Sequence, residues 1–167
     1  MRRLERPLAT RADSEIRRAV PRDLDGVAAL WTALMEHHAA RDSVFALRPD
    51  AEAEVRRWIG AMLRDPNAAI FVRDSDTGLS GFCAVRIDRA PAILVEVDRA
   101  EITDLLVRDG DRRRGVGRAL VEGALRWVVE QGVERCEVRV ASRNSEGQGF
   151  WRSLDFGDWL DVLQRRL

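Results

Sequence analysis

Six consecutive residues, Arg112-Arg113-Arg114-Gly115-Val116-Gly117, have the types and spacing to hold a phosphate. They follow an apolar run, Leu105, Leu106 and Val107, and a polar turn, and a helical pattern begins directly behind them. Unpaired N–H groups and the dipole at a helix start attract anions. Glycine lets that backbone come close to a ligand, and guanidinium groups add charge-assisted hydrogen bonds to phosphate oxygens. Strand, arginine-glycine turn and helix together predict a pyrophosphate cradle made by the amides around Arg113 to Arg118. The arginine side chains either reach a further phosphate or lie in solvent. Such a cradle points to a nucleotide-like cofactor.

Two carboxylates, Glu101 and Asp104, stand on the strand before the cradle. A period of two puts Glu101 and Leu105 on one face, and Ile102 and Asp104 on the other. The two acids are therefore expected to serve different roles. Either could act as a base through a water, since partial burial raises a carboxylate pKa towards the working range. Each also has a structural alternative: a surface strand residue for Glu101, a hydrogen-bond acceptor for Asp104. His37 and His38 end a helical pattern, where they either line a pocket or complement the helix terminus. Trp31 and Trp58 fall at apolar helical positions and read as core.

Composition narrows the chemistry further. The chain has 167 residues and zero formal net charge, enough for one domain with a full core. Neutrality removes the global electrostatic case for nucleic-acid or membrane partners. Every basic residue is arginine, and tyrosine is absent, so no lysine can act as a nucleophile and no tyrosine as an acid. Without a lysine there is also no Gly-Lys-Ser/Thr phosphate loop. Cys83 and Cys136 lie in separate apolar runs without zinc-ligand spacing, so both are expected in the core and no metal is expected. No apolar leader or bilayer-length run is present, and a cytoplasmic protein is the expectation.

The elements that must position these residues can be read along the chain. Residues 1–14 are expected to form a flexible arm, and residues 15–167 a single domain. Glu15 to Val20 suits a first strand. Asp23 is placed to cap a helix carrying Val27, Leu30, Trp31 and Leu34, and a second helix spans roughly Asp50 to Leu63. Ala68 to Arg73 and Gly81 to Ile87 form a hairpin around Asp74 to Gly78. Ala92 to Val97 is a further short strand, and Ala100 to Val107 leads into the cradle. Gly115 to Glu130 is a helix that Gly132 stops. Arg135 to Ala141 alternates as a strand, Ser145 to Leu154 is a short helix, and Trp159 to Leu167 is a terminal strand. This order predicts a mixed α/β fold, one sheet flanked by helices.

At this point the pattern resembles the GCN5-related N-acetyltransferase superfamily, over about residues 15 to 167. The family signature Gln/Arg-x-x-Gly-x-Gly/Ala stands here as Arg112 to Gly117. Downstream, Asn144 and then Phe150, Trp151, Leu154 and Phe156 keep most of a family pattern in which Asp155 replaces the usual glycine. The resemblance implies a twisted mixed sheet of six to seven strands, splayed between the fourth and fifth. Acetyl-coenzyme A would lie in that gap as co-substrate. The backbone of Leu105, Leu106 and Val107 would pair with its pantetheine arm, and those amides are the candidate oxyanion donors. Arg112, Arg113, Arg114, Gly115, Val116, Gly117 and Arg118 would hold the pyrophosphate. Glu101 matches the base position of histone-acetylating relatives, and small-molecule acetylating relatives carry an acid near Asp104. Asn144 either contacts the pantetheine arm or acceptor, or closes a turn.

Trp151 occupies the position of the tyrosine that many relatives use on the leaving thiolate. An indole N–H can only donate a hydrogen bond, so water or unaided departure of the thiolate is expected. The implied activity is acetyl transfer to a primary amine of a small molecule or peptide, with a non-catalytic acyl-coenzyme A sensor as the alternative. The first two helices, their connection, and acidic loops holding Asp88, Glu96 and Asp98 would form the acceptor side. A homodimer is left open.

Overall fold

A computed structural model describes residues 16–89, 93, 95 and 98–165. The elements are β1 (Ile16–Arg18), α1 (Leu24–Ala39), α2 (Glu52–Met62), β2 (Ala68–Ser75), β3 (Gly78–Arg89), β4 (Asp98–Val107), α3 (Val116–Glu130), β5 (Cys136–Val138) and α4 (Ser145–Arg152). Short 3-10 turns at Pro21–Asp23, Ser43–Phe45 and Asp109–Asp111 join them. The sheet runs β1-β2-β3-β4-β5. All neighbours are antiparallel except β4 and β5, which are parallel. The parallel step needs a crossover, which α3 supplies.

Alternation along the strands divides the core into two layers. Cys83, Val85 and Ile87 of β3, with Ala100 and Ile102 of β4, pack on Val116, Leu120, Val121, Ala124 and Val128 of α3. Ile70 and Val72 of β2, with Phe82 and Ala84 of β3, pack on Val27, Leu30 and Leu34 of α1 and Val55 and Ile59 of α2. Both cysteines are free thiols on the α3 side, Cys83 buried and Cys136 partly so. Burial raises both, that of Cys136 to about 12.

Three expectations are corrected. Trp159 to Leu167 does not add a strand: its described residues, 159–165, have no regular structure, and Leu163 is 94% exposed. The sheet accordingly has five described strands; most of the Ala92 to Val97 segment lies outside the described residues, as does the 1–14 arm. β5 is confined to Cys136–Val138 because its pairing with β4 ends there, so the residues beyond have no ladder to join. Asp23 does not cap α1 with its side chain. Its carboxylate accepts from Val20 N and from both terminal nitrogens of Arg17, which also binds Asp74. Those bonds lock β1 to the entry of α1 and hold the Asp23 carboxyl below the usual range.

Candidate active site

β4 and β5 are in register only from Ala100↔Cys136 to Ile102↔Val138. Beyond this point the strands part, and the second half of β4 loses one neighbour. Arg108 N donates to Ser80 O of β3. Alternation therefore turns the backbone groups of Leu106 towards β3 and those of Leu105 and Val107 towards the open side. An unpaired strand edge is a ready template for an extended ligand with amide groups.

The same strand carries a bulge. Ala84 pairs with Asp104 but Val85 pairs with Ile102, which leaves Thr103 as an extra residue. A single extra residue reverses the facing of everything after it. Glu101 lies opposite Arg86, and Asp104 lies opposite Ala84, two β3 positions on one face. The two acids consequently share the α1–α2 face of the sheet, against the opposite facing that simple alternation predicts.

Their surroundings differ sharply. Glu101 is 7% exposed. Its carboxylate binds Arg86 at 2.7 Å and Arg139 at 3.3 Å, through different oxygens. Asp104 accepts one bond from the indole Nε1 of Trp31 at 2.9 Å. Burial pushes the Asp104 carboxyl up, and the Thr103 hydroxyl and the Trp31 bond only partly oppose that. A carboxylate held between two guanidiniums is engaged in structure; one raised by burial and bound by an indole rather than a guanidinium is suited to proton transfer.

The end of α1 faces this acid. Trp31 and His38 are seven residues apart and share a helix face. His38 packs on Phe45 with ring centroids 5.1 Å apart, and Trp31 packs on Trp58 at 5.2 Å. Trp58 is 41% exposed, so it is not the core residue its spacing suggests. Burial, then Arg41, holds both His37 and His38 below the usual histidine range, which favours neutral rings at this helix end.

The cradle is built as a tight turn. Arg113 has φ +62° and Gly115 has φ +82°, both left-handed. At Gly115, the N-cap of α3, this conformation is the reason for glycine, because a Cβ there would meet open space. At Arg113 a non-glycine residue carries the strain, which concentrates at functional turns. Gly117 has a different purpose: a Cβ would sit 3.3 Å from the Phe150 ring, so its absence lets α3 pack on α4. Val116 is buried in the core.

Side chains fix the turn from several sides. Arg112 folds back, its Nε donating to Val107 O at 3.0 Å and lying 3.2 Å from Asp109. Arg118 donates to Ser153 O at 3.1 Å. Arg113 and Arg114 are exposed. Arg73 reaches Asp111 at 2.7 Å and Ser80 Oγ at 3.0 Å, tying the preceding 3-10 turn to β2 and β3. Nothing in the sequence pattern singled out Arg73 or Asp111, since their partnership spans 38 positions.

Asn144 and Trp151 are placed by α4. Asn144 is its N-cap and accepts from Gly147 N at 3.0 Å. A Cβ at Gly147 would lie 2.5 Å from the Asn144 amide, so that glycine makes room for the cap. Trp151 is buried between Phe150 and Phe156, each ring about 5 Å away and near perpendicular, as aromatic pairs prefer. It belongs to the core layer against which Leu105, Val107 and Val138 pack. Asp155 has φ +65°, the conformation of the glycine it replaces.

A sheet that parts beside an arginine-glycine helix start is the architecture of an acetyltransferase. The family model for the acetyltransferase (GNAT) family matches residues 31–156. The chain belongs to that family. Comparison with curated proteins finds no match. Among solved structures, the tetramutant of BH1408 protein from Bacillus halodurans has a TM-score of 0.79 at 20% identity, covering 91% of this chain and 99% of that one. An aminoglycoside N-acetyltransferase, AAC(6')-Iy in complex with CoA, has a TM-score of 0.76 at 18% identity, covering 91% and 93%. The aminoglycoside acetyltransferase meta-AAC0020, from an uncultured soil metagenomic sample and in complex with sisomicin, has a TM-score of 0.69 at 20% identity, covering 91% and 95%. These likenesses establish the fold. Among the described residues no helix is long and apolar enough to cross a membrane.

Proposed function

We propose that this acetyltransferase moves an acetyl group from acetyl-coenzyme A to a primary amine of a small molecule or peptide, by direct attack of the amine on the thioester. The observation that carries the reading is the parting of β4 and β5 after Ile102 and Val138, on the strand that holds the partly buried carboxylate of Asp104 and leads to the turn at Arg112–Gly117. The relatives in complex with CoA and with a CoA-containing bisubstrate analogue support the same assignment.

Acetyl-coenzyme A supplies the activated acyl group. The backbone groups of Leu105 and the Val107 N–H are positioned to pair with its amide-bearing arm, Arg112 holding the Val107 carbonyl, while Leu106, turned towards β3, braces the strand. The amides at the start of α3 suit its pyrophosphate, and exposed Arg113 and Arg114 suit its phosphates. The folded-back Arg112 and Arg118 keep the turn in shape. Asn144 orders the start of α4 across the split.

Asp104 is the proposed base. It takes a proton from the incoming ammonium, directly or through a water, so that the amine attacks in its neutral form. Glu101 is proposed as the anchor of Arg86 and Arg139. With Trp151 in the core and no tyrosine in the chain, the departing thiolate takes its proton from water; thiols ionise near pH 8.5, so the demand is small.

Calorimetric titration with acetyl-coenzyme A and a thiol-release assay across primary amines test this reading together. Saturable binding that Arg114→Glu weakens, with thiol release for at least one amine class, is expected. Binding without release for any amine would instead leave an acyl-coenzyme A sensor.

A further inference from the structure

The acceptor side carries aromatic surface where a polyamine site would carry spare acid. We propose that Trp31, Trp58, His38 and Phe45 wall the acceptor site around Asp104, and that the site selects an amine borne on an aromatic ring through a short aliphatic linker. The inference rests on the acetyltransferase reading above and names the substrate class for that same site.

The first observation is two aromatic contacts along α1. Trp58 of α2 packs on Trp31 of α1 at 5.2 Å, and the Trp31 indole N–H binds Asp104 at 2.9 Å. One helix turn-pair further along, His38 packs on Phe45 at 5.1 Å. The outer members, Trp58 and Phe45, are 41% and 37% exposed. Two exposed aromatic rings around one partly buried carboxylate fit a ligand with an apolar body and a single amine at its inner end. Aromatic rings prefer offset or edge-to-face contact with other rings, and an ammonium is stabilised by the faces of tryptophan on its way to the carboxylate.

The second observation is how the carboxylates of the sheet are paired. Polycationic amines need several carboxylates without protein partners. Asp88 is bound by Arg99 and Arg86, Asp98 by Arg89, Glu137 by Arg99 and Arg135, and Glu101 by Arg86 and Arg139. Of the acidic edge expected from Asp88, Glu96 and Asp98, Asp88 and Asp98 are paired with arginines of β3 and β4, and Glu96 lies outside the described residues. Asp104 is the carboxylate of this face that an aromatic donor, rather than an arginine, holds.

The test is thiol release with acetyl-coenzyme A for phenethylamine, spermidine and sisomicin, in wild type and Trp58→Ala. Trp58 is exposed enough that its loss leaves the fold intact, checked by thermal denaturation. Phenethylamine should be preferred in kcat/KM by wild type. Trp58→Ala should lower kcat/KM for phenethylamine about tenfold, the scale of one lost apolar contact in a specificity pocket, and leave the affinity for acetyl-coenzyme A unchanged. Preference for spermidine or sisomicin, or no loss in Trp58→Ala, overturns the proposal while the acetyltransferase reading stands. Absence of thiol release with every amine would instead remove the reading beneath it.

Discussion

The indole N–H of Trp31 donates to the carboxylate of Asp104 across 2.9 Å, joining α1 to the bulged middle of β4. Because the donor favours the ionised acid, it offsets part of the rise that burial imposes. Trp31→Phe keeps the ring and removes the bond. The Asp104 pKa then rises further, and the acidic limb of the kcat/KM profile moves to higher pH. A profile that stays in place would disconnect Trp31 from the base.

Burial of Asp104 also has a stability consequence. A carboxyl whose folded pKa is raised favours folding when protonated, and that contribution is lost as pH rises through the folded value. At neutral pH the charged, buried form therefore opposes folding. Asp104→Asn should raise Tm at pH 7 by roughly 1–4 °C, and the gain should vanish below the unfolded carboxyl pKa. Thermal denaturation at both pH values checks it. Loss of activity with gain of stability would mark a residue kept for chemistry.

Glu101 is expected to behave in the opposite sense. Glu101→Gln leaves Arg86 and Arg139 without their shared charge. Both arginines are substantially exposed, so solvent screening limits the loss to about 1 kcal/mol. The turnover of the folded enzyme should stay within about threefold of wild type, because Asp104 and not Glu101 is the proposed base. A collapse of kcat with unchanged stability would reverse the roles given to the two acids.

The Arg73–Asp111 pair holds the turn that precedes the cradle. Asp111→Ala should weaken acetyl-coenzyme A binding about tenfold and cost about 1–2 kcal/mol of stability, as for a charge-assisted hydrogen bond. The reversed pair, Arg73→Asp with Asp111→Arg, should restore part of both. Equal affinity in Asp111→Ala, measured by calorimetry, would show the cradle is fixed without it.

Local signals make the turn at the start of α3 legible in the sequence: a strand, two glycines and three arginines within one short segment. The same holds for α3, whose apolar face repeats cleanly. Asp155 was noticed as a departure from the usual glycine, and it adopts the left-handed backbone that glycine would have supplied. Asp155→Gly should therefore raise stability by up to about 1 kcal/mol, readable as an increase in Tm.

Features set by long-range contacts were not legible. The bulge at Thr103 depends on how β3 and β4 register, and no residue in Glu101–Leu105 announces it. Missing it reversed the facing of Asp104 relative to Glu101. Trp31 carries the same apolar spacing as its buried neighbours, so its bond to an acid 73 positions away left no trace in the pattern. The apolar residues Trp159, Leu160, Val162 and Leu163 suggested a strand, yet all four are exposed and no described strand receives them.

Single-turnover product analysis tests the central claim most directly. Enzyme saturated with acetyl-coenzyme A is mixed with a panel of primary amines, quenched, and the amine products identified by mass. The account predicts an N-acetylated amine from wild type. Asp104→Asn should bind acetyl-coenzyme A with wild-type affinity and form that product at least about 100-fold more slowly, the scale of a lost general base. Product formed by Asp104→Asn at the wild-type rate, or no acetylated amine from wild type that binds acetyl-coenzyme A, would contradict it.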